Sequence, residues 1–166
     1  MILIVAGVSG CGKTTVGALL AGQLGWEFAD ADDFHPEANV AKMRAGIPLT
    51  DADREPWLRS VGRWMDSEIG AGRSDVLACS ALKRSYRDLL LDGRPSAVMA
   101  FLMVSREELD RRLLARTGHF FPEKLLDSQL TTLEPPQPGE RVLTVQAESS
   151  PVQTAAKVAE ALKLSE

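Results

Sequence analysis

The sequence predicts an α/β fold in which a parallel sheet is covered by helices on both faces. Three observations point there. Five apolar runs of strand length alternate with amphipathic stretches along the 166 residues, the pattern of successive strand–helix units. A parallel sheet needs such crossovers and buries its strands from both sides. A glycine-rich segment also sits between the first apolar run and the first amphipathic stretch, where α/β sheets bind ligands.

The strands are expected at residues 2–6, 26–29, 76–79, 97–104 and 141–145. Val16, Leu19, Leu20 and Leu24 share one helical face, and Gly25 stops that helix. Pro36 opens a second helix that Gly46 closes. Trp57, Leu58, Val61, Trp64, Met65 and Ile69 follow helical spacing and read as core. Ser105-Arg106-Glu107-Glu108 reads as a capping box ahead of Leu109 and Leu113. Pro122 opens a helix carrying Leu125, Leu126, Leu130 and Leu133, and Ser150-Pro151 opens the last. The stretch Pro135-Pro136-Gln137-Pro138-Gly139 reads as a loop rather than a linker, so residues 1–166 are expected to form one domain.

Composition excludes several classes. Hydrophobic residues make up 45% and charged residues 25%, which argues against disorder or a disulfide scaffold. Nineteen basic against 23 acidic side chains give a net charge of −4, so no electrostatic footprint for nucleic acid is present. No apolar run approaches the roughly 20 residues a membrane span requires. The first apolar run lacks the basic lead and the length of an export signal, so a cytoplasmic setting is expected, with Cys11 and Cys79 as reduced, structural thiols.

Gly7-Val8-Ser9-Gly10-Cys11-Gly12-Lys13-Thr14 matches the phosphate-loop pattern G-x-x-x-x-G-K-[ST]. Glycines there let successive N–H groups point at phosphate oxygens, and the following helix adds its positive end. The phosphate-binding set is therefore Gly7, Val8, Ser9, Gly10, Cys11, Gly12, Lys13, Thr14 and Thr15. Lys13 would bridge the outer phosphates of a nucleoside triphosphate, and the Thr14 hydroxyl would ligate Mg²⁺. The motif does not name the reaction. A GTPase switch is excluded: the sole asparagine, Asn39, is followed by Val40, and no aspartate has glycine three residues later. A motor or transporter ATPase would place Asp at the end of the third strand, where Ser80 stands instead.

Carboxylates appear after the second strand, in Asp30-Ala31-Asp32-Asp33. Read as extended, this segment puts Asp30 and Asp32 on one face beside the phosphate loop. One carboxylate can hold a metal-bound water while the other takes or orients an acceptor's hydroxyl proton. Asp33 reads better as part of a solvated turn. The insertion between the second and third strands, about residues 31–72, is the natural cover over a small polar acceptor. There, Thr50, Asp51 or Asp53 could cap the Trp57 helix. Arg54 suits an anionic group, and His35 is either a turn residue before Pro36 or a hydroxyl partner. After the third strand, at least one of Lys83, Arg84 and Arg87 is expected to meet the ligand. Arg112 and Arg116 stack on one helix face ahead of Gly118-His119-Phe120-Phe121-Pro122; arginines there could swing onto the γ-phosphate, or simply line an exposed helix.

The phosphate loop together with Asp30-Ala31-Asp32-Asp33-Phe34-His35-Pro36-Glu37, Lys42-Met43, Gly46-Ile47-Pro48-Leu49, Asp53-Arg54, Pro56-Trp57-Leu58, Cys79-Ser80-Ala81-Leu82-Lys83, Tyr86-Arg87-Asp88 and Gly118-His119-Phe120 resembles the small P-loop gluconokinases over nearly the whole chain. The resemblance implies Mg²⁺-dependent phosphorylation of D-gluconate at its 6-hydroxyl by ATP. It also implies a three-layer kinase fold similar to shikimate and nucleoside monophosphate kinases, with strand order 2-3-1-4-5, a lid near residues 112–124 and a homodimer. Asp32 matches the residue that contacts the acceptor hydroxyl, Asp30 the one near Mg²⁺, and Arg112 and Arg116 the lid arginines. Lys13, Asp32, Arg112 and Arg116 are thus the catalytic candidates, and Asp32, His35, Arg54, Lys83, Arg84 and His119 the acceptor-binding ones. Thr50 departs from the family pattern, where Asn is expected. The alternatives are a related small-molecule kinase or a nucleotide-binding module without transfer.

Overall fold

The computed structural model describes residues 1–115, 123–147 and 150–164. Five strands, β1 (Ile2–Ala6), β2 (Glu27–Asp30), β3 (Asp75–Ala78), β4 (Ala97–Met103) and β5 (Val142–Gln146), form one sheet in the order β2-β3-β1-β4-β5. Every pairing is parallel. The helices are α1 (Lys13–Leu24), α2 (Glu37–Arg44), α3 (Asp51–Gly70), α4 (Arg84–Leu91), α5 (Arg106–Ala115), α6 (Glu123–Thr132) and α7 (Pro151–Ala161). The expected class and strand order are both found. Among the described residues no helix is long and apolar enough to cross a membrane.

β1 holds the centre because all five of its residues are apolar and buried. Ile2, Ile4 and Ala6 point into one core with Trp57, Leu58, Val61 and Met65 of α3 and Leu90 of α4. Leu3 and Val5 point into the other, with Val16 and Leu20 of α1, Leu109 of α5 and Ala155 and Val158 of α7. A period-two strand buried on both faces thereby welds the layers together. Since all strands run parallel, the loops after β1, β2 and β3 emerge along one edge. The chemistry-bearing segments of the sequence all leave from there.

Two local expectations are corrected. Asp32 does not lie on an extended strand: β2 ends at Asp30, and Ala31–Phe34 form a 3-10 turn in which the Asp32 N–H donates to Asp30 Oδ1 at 2.9 Å. This is an aspartate capping its own turn. The basic cluster after β3 is not an open ligand face either, because it runs into α4. On that helix Arg87 is fully buried, donating to the carbonyls of Ala81 and Leu82 and, through both Nε and Nη2, to the carboxylate of Glu140. Arg87 is a structural residue that fastens the loop before β5 to the loop after β3.

Elsewhere the end signals behave as read. Thr50 is the cap of α3 and Asp53 completes its capping box, settling the choice among Thr50, Asp51 and Asp53. Ser150 caps α7 with Pro151 at its first position.

Removing one partner of a buried ion pair strands the other charge, which costs about 3–5 kcal/mol. Arg87→Ala and Glu140→Ala should each lower unfolding stability by that order. Equilibrium urea unfolding of both variants checks this, and losses under 1 kcal/mol would contradict it.

Candidate active site

The loop from Gly7 to Gly12 bends sharply through glycines at φ 142°, 85° and 96° (Gly7, Gly10, Gly12), values that side chains rarely adopt. Gly7 is further constrained by space: a Cβ there would stand 2.6 Å from Cys11 Sγ and 2.9 Å from the Leu102 carbonyl. Cys11 is buried beneath the loop and its thiol is pushed up by desolvation. It supports the turn and offers no reactive group. Lys13 reaches back to the Val8 carbonyl at 3.5 Å. The N–H groups of Gly10, Gly12 and Thr14 have no partner among the described residues. At the start of a helix such unpaired donors favour an anion.

The loop divides two cavities. One cleft, of about 480 Å³, is walled by Ser9 and Lys13 on the loop side and by Asp32, His35, Arg44, Arg54, Trp57, Ser80 and Gln129 elsewhere. The other, of about 440 Å³, is walled by Gly10, Gly12 and Thr15 with Arg111, Arg112, Ala147 and Thr154. A polyanion lying over the loop would therefore have one end in each.

In the first cleft Asp32 is the sole acid among the described wall residues. Its side chain is 69% open to the cleft. Partial desolvation, and then the neighbouring charge of Asp30, raise its carboxyl above the ordinary value, while Lys13 pulls the other way. His35 contrasts with it. Its imidazole is 3% exposed and stacks on Trp57 at 4.1 Å between centroids. Burial, then the positive charge of Arg54, lower it to about 4. The Asn39 amide donates to His35 Nδ1 at 3.2 Å, so the neutral ring carries its proton on Nε2, which faces Asp32 Oδ1 at 3.7 Å. Trp57 in turn donates from Nε1 to the Ala31 carbonyl at 2.6 Å, fixing the turn that presents Asp32.

Asp30 sits beside the loop, accepting from the Thr14 hydroxyl at 3.4 Å. A hydroxyl and a carboxylate are hard oxygen donors of the kind Mg²⁺ takes alongside phosphates and water. The residues fit that ion. No cluster of three or more metal-ligating His, Cys, Asp or Glu side chains occurs among the described residues.

A family model described as shikimate kinase matches residues 9–133. The rat protein named "Probable gluconokinase" is 47% identical over 98% of this chain and 97% of its own length. Gluconokinase of Gluconobacter oxydans is 50% identical over 90% of this chain and 84% of its own. The chain belongs to the gluconokinase family of P-loop kinases. The crystal structure of a gluconokinase from Sinorhizobium meliloti superposes on it with a TM-score of 0.84 at 41% identity, covering 97% of this chain and 94% of that one.

Within this gluconokinase-family fold the expected site residues do not all meet. Lys13, Asp32, His35 and Arg54 share the first cleft. Lys83 does not line it, being paired with Asp51 at 2.9 Å at the start of α3. Arg84 points away, its guanidinium 3.6 Å from Asp88 on the outer face of α4. Arg112 is no free lid arginine: it donates to the carbonyls of Gly10, Cys11 and Ala147 and pairs with Glu108. It lines the second cavity, beside Ala147 after β5. Arg116, His119 and most of the expected lid lie outside the described residues.

The structure adds residues that sequence reasoning missed. Arg44, at the end of α2, lines the cleft with no hydrogen bond or ion pair among the described residues. Ser80 joins it after β3, next to Ala81, whose φ of 46° is a strained value for a residue with a side chain. Gln129 reaches in from α6. Ser80 carried a sequence signal in its place at a strand's carboxyl end, and Arg44 in its place on the insertion over the acceptor; Gln129 carried none.

His35 provides a pH test. Unfolded, it takes a proton near 6.5, whereas folded it resists until about 4. Its contribution to stability is thus complete above pH 6.5 and is lost as the pH falls toward 4. Titration of the His35 imidazole by NMR should place its midpoint near 4; a midpoint near 6.5 would contradict the buried, neutral ring.

Proposed function

We propose that this chain transfers the γ-phosphoryl group of ATP to the 6-hydroxyl of D-gluconate, yielding 6-phospho-D-gluconate and ADP. The observation that carries the reading is the meeting of Asp32, neutral His35 and two arginines with Lys13 in one cleft beside the phosphate loop. Its chemistry suits an acceptor that presents a hydroxyl at one end and a carboxylate at the other. The relatives named gluconokinase support that choice of acceptor.

The loop amides and Lys13 hold the phosphates. Asp32 accepts the acceptor's hydroxyl proton as the oxygen attacks phosphorus in line with the departing ADP oxygen. The raised pKa of Asp32 makes it a better proton acceptor than an ordinary aspartate. His35 donates from Nε2 toward Asp32 or a neighbouring hydroxyl of the acceptor. Arg54 and Arg44 receive the carboxylate, since guanidinium binds carboxylate through parallel hydrogen bonds. Mg²⁺, held by the Thr14 hydroxyl and through water by Asp30, would neutralise charge on the phosphates.

A panel of sugar acids, shikimate and nucleoside monophosphates incubated with Mg-ATP tests this. ADP release should depend on gluconate, and preference for another acceptor would overturn the assignment. Asp32→Asn should lower kcat at least about 100-fold with little change in ATP affinity. In the wild type, the acid limb of kcat against pH should fall above the ordinary aspartate range, because protonated Asp32 cannot take the proton. Steady-state kinetics across pH reads both.

A further inference from the structure

Ser9 and Gln129 form a reciprocal pair 120 residues apart. The Ser9 N–H donates to Gln129 Oε1 at 2.8 Å, and Gln129 Nε2 donates to Ser9 Oγ at 3.1 Å. The orientation of the amide follows from chemistry alone. A backbone N–H can only donate, so it must face the carboxamide oxygen, and the NH₂ group therefore faces Ser9 Oγ. An oxygen that accepts from NH₂ directs its own proton elsewhere. Ser9 lines the cleft with Lys13 and Asp32, whereas Gly10 and Gly12 line the second cavity. On the kinase reading, the outermost phosphoryl group would lie on the Ser9 side of the loop, with Lys13 and Asp32.

Gln129 is itself held in place. Its helix buries Leu126 completely, and Asp127 pairs with Arg106 of α5 at 2.8 Å. The carboxamide is presented by a fixed helix rather than by a wandering side chain.

We propose that Gln129 is a positioning residue for phosphoryl transfer, holding the Ser9 hydroxyl as a hydrogen-bond donor aimed at the terminal phosphoryl group. The inference rests on the kinase reading above and deepens it. As the bond from phosphorus to the ADP oxygen breaks and the bond to the acceptor oxygen forms, the acceptor's proton goes to Asp32. Ser9 keeps its own proton and only donates a hydrogen bond to charge gathering on the transferred group, and a fixed donor of this kind needs no reorganisation during reaction.

Gln129→Glu is the sharpest test, because it preserves shape and the acceptor for the Ser9 N–H while removing the NH₂ donor. The Ser9 hydroxyl would then turn to the new carboxylate. The expected result is a kcat about 10- to 100-fold lower with the acceptor KM nearly unchanged, and a weakened preference for ATP over ADP in equilibrium binding. Ser9→Ala should lose the same quantities, and the double variant should lose no more than either single one. Wild-type kcat and ATP preference in Gln129→Glu, or additive losses in the double variant, would overturn the proposal. Should Gln129→Glu unfold, Ser9→Ala decides alone through the same two readouts, unchanged values overturning it. The nucleotide-binding arm needs no acceptor. Failure of the wild type to use any sugar acid would therefore sink the gluconate assignment, while the ATP-over-ADP comparison would still judge Gln129.

Discussion

Backbone N–H groups after β1 that no acceptor among the described residues satisfies are the feature on which the site depends. A free loop would bury or solvate them at random. Here the loop's carbonyls are engaged first: Arg112 takes those of Gly10 and Cys11, and Cys11 N–H takes that of Val8. With those acceptors engaged, the N–H groups of Gly10, Gly12 and Thr14 are left without a partner among the described residues. The arrangement holds only because β1 is central, paired with β3 and β4 and buried on both faces. Gly7 could not carry a side chain without displacing Cys11 or the backbone of β4. The core thus fixes the loop, and the loop fixes where negative charge can sit.

The acceptor side is built by a different kind of constraint. Its polar groups are ordered by one another rather than by the sheet. Asn39, itself buried, bridges His35 and the Asp53 carbonyl. Lys42 pairs with Asp53 at 2.8 Å, so α2 is tied to the first turn of α3. That bond and those from Thr50 hold the Asp53 carboxyl down to about 2, so it stays charged and committed to structure. Trp57 then joins α3 to the turn under Asp32. Partnered groups surround an acid that is left open to the cleft. Such a division between fixed scaffold and free reactive group is what positioning for proton transfer requires.

Features encoded by neighbours in sequence could be read from it. The phosphate loop, the caps of α3 and α7 and the strand centres all depend on residues a few positions apart, and they lie where the pattern puts them. Asp32 was assigned to the cleft for a partly mistaken reason: a 3-10 turn, not strand alternation, brings it beside Asp30. Features encoded by distant pairs could not be read. Arg87 reads in the sequence only as one of three basic residues of which at least one meets a ligand, because nothing in its neighbourhood announces Glu140, and Gln129 reads as any polar residue of an amphipathic helix. His35 closes the 3-10 turn, its N–H donating to the Asp32 carbonyl, while its ring stacks on Trp57 and faces Asp32.

An acidic protein that binds two anions has to make its positive potential locally, and pairing decides where it appears. Among the arginines and lysines near the strand ends, Arg87, Lys83, Arg84 and Arg112 each have a carboxylate partner. Their charge is largely cancelled at any distance. Lys13, Arg44 and Arg54 have no ion-pair partner among the described residues, and all three open into the cleft against the single charge of Asp32. The chain's net charge of −4 is spread over the whole molecule. Beyond about 8 Å at physiological ionic strength it is largely screened. Inside the cleft, where water is partly excluded, the three unpaired cations act on an anion at close range and with weaker screening. Cleft recognition is therefore set by which cations were left unpaired rather than by how many the sequence contains.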